Sequence, residues 1–240
     1  MRPVRRWSSW YDKQLVIQSG EDILSSLESW AIPELRKHKL VWSGWGPAQI
    51  LPNIQMLAGT WAATPPNSNW GYRVVKGIDP RRLRLFFLSL LWRAAATDRS
   101  EFSQVAIPRD DLEKVRLMLI NSNPDPLSFY PTELCQFSTM GEVHNHTPIA
   151  MSKTVKSQMG EEEFNTSVFR FYFDGLMAHM HRNAFDNDRT AWFGSSIVGR
   201  GDELVVANVP FETSLQHEGL RRVIADGANQ HQNRRAGATR

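Results

Sequence analysis

Cysteine is nearly absent: Cys135 is the single one in 240 residues. A lone cysteine closes no disulfide within the chain and builds no four-cysteine zinc site. That usage points to a reducing, cytoplasmic compartment. A thiol acts as a nucleophile when a histidine activates it, and no such partner is marked in the sequence, so Cys135 reads as a half-buried strand residue. Long apolar runs are also missing. The most apolar stretch, Leu83 to Ala96, is broken by Arg84, Ser89 and Arg93. It falls short of the roughly 20 residues that a bilayer-spanning helix needs, so no membrane association is expected. The basic N-terminal stretch is not followed by an unbroken apolar segment of the secretory type. Charge of one sign is lacking as well: 28 Lys plus Arg face 25 Asp plus Glu, a net +3. Neither G-x-x-x-x-G-K-S/T nor G-x-G-x-x-G occurs, and no G-x-S-x-G, which removes the usual signatures of phosphate loops, dinucleotide folds and nucleophile elbows. No cofactor is expected, and no internal repeat at a solenoid period is present.

What remains is globular in character. Apolar residues make up 41% and charged residues 22%, enough for a real core. Nine Trp and twelve Phe are many for this length. Most belong in the core, with a few available for an interface. Ser19 caps a helix expected from about Gly20 to Leu40, with Ile23, Leu24, Leu27 and Ala31 at helical spacing. Pro33 is expected to kink or split it. Residues 41–69 read as loop with one helical turn near Gln49 to Leu57, then a strand from Trp70 to Val75. The strongest signal is Asp79-Pro80, an N-cap followed by proline at the first helical position. The helix it opens runs to about Ala96 and is apolar nearly all round, with a narrow polar stripe of Arg82, Ser89 and Arg93. Such a helix is central and buried. Arg93 then wants a carboxylate partner. A further helix is expected over Pro108 to Asn121.

The second half changes period. Leu127 to Phe137, Pro148 to Val155, Ser167 to Phe173, Leu176 to His181, Ala191 to Val198 and Glu203 to Val209 read as strands, and Phe211 to Ala225 as a closing helix. Asp174-Gly175 between two such runs signals a two-residue hairpin. The expected fold is α+β: N-terminal helices including a buried central helix, then a mainly antiparallel sheet. Residues 1–226 are expected to form a single domain, followed by a basic, flexible tail over 227–240.

Candidate chemistry is sparse. His144 and His146 form one H-x-H pair and His179 and His181 another. The first pair is expected in a loop and the second in a strand, where alternate residues share a face, and such a pair could ligate a metal if a third ligand arrived. No spacing in the sequence supplies that ligand. At the N-terminus Arg5, Arg6, Trp7, Trp10, Tyr11 and Lys13 interleave charge with aromatic rings, the combination used by single-strand binding platforms. The C-terminal stretch is basic too, with Arg221, Arg222, Arg234, Arg235 and Arg240.

The string Trp10-Tyr11-Asp12 through Ile17 and Gly20-Glu21, the apolar helix Leu85 to Ala94, the hairpin from Phe169 to His181 and the closing Phe211 and Ser214 resemble a group of uncharacterised bacterial proteins with an N-terminal zinc-ribbon, HNH-like module. In that group a C-x-x-C knuckle follows the tyrosine-aspartate pair. Here Ile17 and Gly20 stand at the two cysteine positions, so the resemblance implies the family body without its metal module. Three functions follow as expectations. The first is a non-catalytic binding protein engaging a protein partner, with nucleic acid as a further ligand, through Arg5, Arg6, Trp7, Trp10, Tyr11, Lys13 and Arg93. The second is a metal-dependent, HNH-like nuclease using His144, His146, His179 or His181. The third is a structural or assembly component that forms oligomers.

Overall fold

A computed structural model describes residues 15–55, 69–142, 146–156, 163–182 and 193–221, with the side chains of 155 and 156 left aside. Among the described residues three helices come first: α1 (Gln18–Lys37), α2 (Pro80–Ala96) and α3 (Arg109–Ile120). Six strands of the described residues form one sheet: β1 (Gly71–Val75), β2 (Thr132–Phe137), β3 (Ile149–Lys156), β4 (Glu163–Phe173), β5 (Leu176–His181) and β6 (Leu204–Val209). The strand order is β1-β6-β2-β5-β4-β3. All neighbours are antiparallel except β2 and β6, which run parallel. The chain is therefore an α+β protein, with helices on one face of a mainly antiparallel sheet.

The central helix is α2. Both the Arg81 and Arg82 amides donate to the Asp79 carboxylate at 3.0 Å, which satisfies two of the donors a helix start leaves orphaned. Leu83, Phe87, Leu88 and Leu91 are fully buried against Phe169, Phe171, Ala178 and Met180 from β4 and β5. The expected polar stripe is narrower than its sequence suggests, because Ser89 is buried and donates to the Phe86 carbonyl. Arg84 is also fully buried. Its guanidinium donates to the carbonyls of Pro124, Pro126, Phe129 and Tyr130. One charged side chain thus ties residues 124–130 to the core, and burial pushes its pKa down to about 10. Those residues run as turns, so β2 starts at Thr132 instead of Leu127.

Several expectations need correction. Helix α1 passes Pro33 unbroken. Both Pro33 and Ser29, whose carbonyl the missing N–H would have met, are exposed, so water can satisfy that carbonyl. The N-cap is Ile17, not Ser19, and makes no side-chain cap. No helical turn forms over 49–55, where Ile50 bridges to Thr139 and Gln55 to Tyr72. A 3-10 turn at Gly194–Ser196 and a single bridge at Ile197 replace the described part of the strand expected from Ala191 to Val198. The closing helix is a 3-10 turn at Phe211–Thr213 followed by a short helical stretch over 215–221. The 227–240 tail lies outside the described residues.

The β4–β5 hairpin turns at Asp174 (φ 51°) and Gly175 (φ 85°), both left-handed, as a two-residue turn of this type requires. The turn is anchored from outside. The Trp42 amide donates to the Asp174 carbonyl at 2.8 Å and the Ser43 amide to its carboxylate at 3.0 Å. Trp42 packs with Phe137 and Phe211 on the sheet face away from the helices.

Candidate functional site

The two faces of the sheet differ. Leu134, Phe169, Phe171, Ala178 and Met180 point to the helices. Strand alternation sends Glu133, Cys135, Arg170, His179 and His181 to the other face. Register then assembles them: Glu133 stands opposite His179, and His179 opposite Arg170. Lys153 reaches in from β3. The result is a polar cluster spanning four strands.

Glu133 is its hub. The carboxylate pairs with Lys153. His181 Nε2 lies 3.0 Å from the same oxygen, and Ser196 Oγ donates to the other at 3.2 Å. Burial alone would raise this carboxyl. The His181 hydrogen bond and the Lys153 charge outweigh it and hold the group at about 2. His181 is fully buried, and burial lowers its pKa despite the Glu133 contact, so the neutral ring donates its Nε2–H to the carboxylate. His179 is half-buried, and burial together with the Lys153 charge pushes it down to about 3. Burial pushes the Cys135 thiol up to about 12. The Arg170 guanidinium donates to Gln216 Oε1 at 2.6 Å.

This chemistry favours fixed states over proton cycling. A general acid or base works best with a pKa near the operating pH. Here the carboxylate stays ionised, the imidazoles neutral and the thiol protonated across the whole neutral range. Metal ligation fares no better on geometry. His179 and His181 do share a face, yet among the described residues no group of three or more His, Cys, Asp or Glu side chains gathers to hold an ion.

A second feature lies on the other side of the molecule. Helices α1 and α3 both pack on α2 and leave a cleft between them. One part, of about 700 Å³, has a mostly polar and charged lining that includes Asp22, Asp79, Arg81 and Arg82, around Ile23 of α1 and Leu119 of α3. An adjoining part of about 300 Å³ shares Ile23 and Leu119 and adds Trp92, Ile17 and Ile120. Ile17 is 78% exposed and Ile120 48%, unusually open for large aliphatic side chains. The cleft floor is the outer face of α2, the helix expected to be central and apolar nearly all round, and includes Arg82 of its expected polar stripe.

Arg5, Arg6, Trp7, Trp10, Tyr11, Lys13 and His144 lie outside the described residues. Arg93 pairs with Glu28 at 2.5 Å, a link between α1 and α2. His146 is exposed and sits edge-on to Tyr172, with ring centroids 6.2 Å apart. Of the positions that would hold a zinc knuckle, Ile17 is the cap of α1 and Gly20 is in its first turn. Sequence reasoning missed Glu133, Lys153 and Arg170. Only strand register brings them together, and no local motif announces it. No helix is long and apolar enough to cross a membrane among the described residues. The chain matches no protein-family model, no curated protein and no solved structure.

Proposed function

We propose that this protein is a non-catalytic binding protein that engages a protein partner, with the helix-layer cleft as the docking surface. The observation that carries the reading is the continuous cleft between α1 and α3, with Ile17 and Ile120 open to solvent at one end. The smaller end of the cleft is apolar and the larger part polar and charged, the combination that an apolar segment of a partner with polar flanks covers. The sheet-face cluster supports the non-catalytic half of the reading, because Glu133 near 2 and His179 near 3 leave neither group poised to exchange a proton at neutral pH. The family resemblance fits the same reading, since Ile17 and Gly20 stand where zinc-binding thiols would be.

The test is capture of partners from native lysate by the tagged chain, before and after nuclease treatment. A stoichiometric protein that survives nuclease, and that Ile17→Glu with Ile120→Glu releases, agrees with the proposal. Nucleic acid as the sole co-purifying species, or a protein partner indifferent to both substitutions, overturns it.

A further inference from the structure

The charge balance of the sheet-face cluster is incomplete. Its row across the sheet reads Glu133, His179, Arg170, Ile149. The Glu133 oxygens are taken by Lys153, His181 and Ser196. That matches one cation, Lys153, with the carboxylate. Arg170 is left over. It is half-buried, and among the described residues no carboxylate pairs with it. Its hydrogen bond goes to the neutral amide oxygen of Gln216, itself only 2% exposed. A guanidinium has five N–H donors in a planar fork, and one amide oxygen leaves most of them unfilled. Beside it the His179 ring has no hydrogen-bond partner among the described residues, and it is uncharged at neutral pH, so it cannot neutralise Arg170 or be repelled by it. A partly desolvated cation in this state is held at a cost that a bound anion would offset. The burial that lowers the Arg170 pKa has the same origin.

We propose that Arg170 is the anchor of an oxyanion-binding site on the sheet face, taking a carboxylate or phosphate group with His179 as a second donor. The fork geometry suits a planar or tetrahedral oxyanion bound through two parallel hydrogen bonds. A cation is disfavoured, because Arg170 and Lys153 already supply positive charge there. This goes beyond the docking proposal. The site lies on the sheet face opposite the helices, so either idea can fail without the other.

The experiment is an NMR titration of the full chain, following the arginine Nε–Hε signals. Sodium acetate and sodium phosphate are added separately, at ionic strength held constant with sodium chloride. The expected result is a saturable shift of the Arg170 signal with at least one probe. Saturation by acetate assigns a carboxylate ligand, and saturation by phosphate a phosphate-bearing one. Arg170→Gln is expected to weaken binding roughly tenfold or more, as loss of a charge-assisted pair does. The Arg170 signal is assigned through Arg170→Lys, and the wild-type shift decides the matter even where the Gln variant folds poorly. No saturable shift at Arg170 beyond the chloride control, with either probe, overturns the proposal, as does equal binding by a folded Arg170→Gln chain.

Discussion

Replacing His179 with glutamine should flatten the response of stability to mild acid. In the folded chain burial and the nearby Lys153 charge push His179 from 6.5 down to about 3. Unfolded, the ring titrates near its ordinary value. Above pH 6.5 it is neutral in both states and contributes nothing to the pH dependence. Below that, the unfolded state takes up a proton that the folded state refuses, so stability falls with pH until about pH 3. The slope is at most about 1.4 kcal/mol per pH unit, or roughly 2 kcal/mol between pH 7 and pH 5. The ring is half-buried, so solvent screening reduces this to between about 1 and 2 kcal/mol. The interval is chosen to stay above the Glu133 transition, which runs from 4.5 down to about 2. Urea unfolding followed by Trp fluorescence at pH 7 and pH 5 gives the loss for wild type and for His179→Gln. The other histidines cancel in the difference. The wild type should lose more stability than the variant by the amount above. An identical loss in both would refute the placement of a neutral His179 in this cluster.

Three other substitutions probe the frame. Arg84→Met strips the donor from four backbone carbonyls of residues 124–130 and should cost about 3 to 5 kcal/mol in urea unfolding, whereas a surface arginine would cost little. Gly175→Ala should lower stability by about 2 kcal/mol or more, since a left-handed φ of 85° strains any side chain and the new Cβ would lie 2.5 Å from Trp42 Nε1. Thermal melts read the effect, and an unchanged melting temperature would contradict the turn geometry. Phe87→Ala, a fully buried ring of α2, should cost about 3 to 5 kcal/mol by the same unfolding assay.

The parts of the fold written locally were legible. Asp79-Pro80 opens α2 because both the cap and the proline act within one turn, and Asp174-Gly175 makes its hairpin because both residues tolerate positive φ. Residues whose role depends on distant chain were not. Arg84 looks like a break in an apolar run, yet it meets carbonyls some 40 to 46 positions later. Leu127 has strand-like neighbours, but wrapping around that guanidinium turns the segment instead. The parallel pairing of β2 with β6 puts Leu134 beside Val206, a contact no periodicity encodes. The candidate cluster is the extreme case. His179 and His181 were visible as an alternating pair, while Glu133, Lys153 and Arg170 acquire meaning only once the register sets them across from one another.

The most direct test of partner binding at the helix layer is site-specific photo-crosslinking in cells. A photoreactive residue replaces Ile120, at the open end of the cleft, or Leu215, 68% exposed on the segment beyond β6. The account predicts one dominant protein adduct from position 120 and none of it from position 215. Equal adducts from both positions, or no protein adduct from position 120, would contradict it.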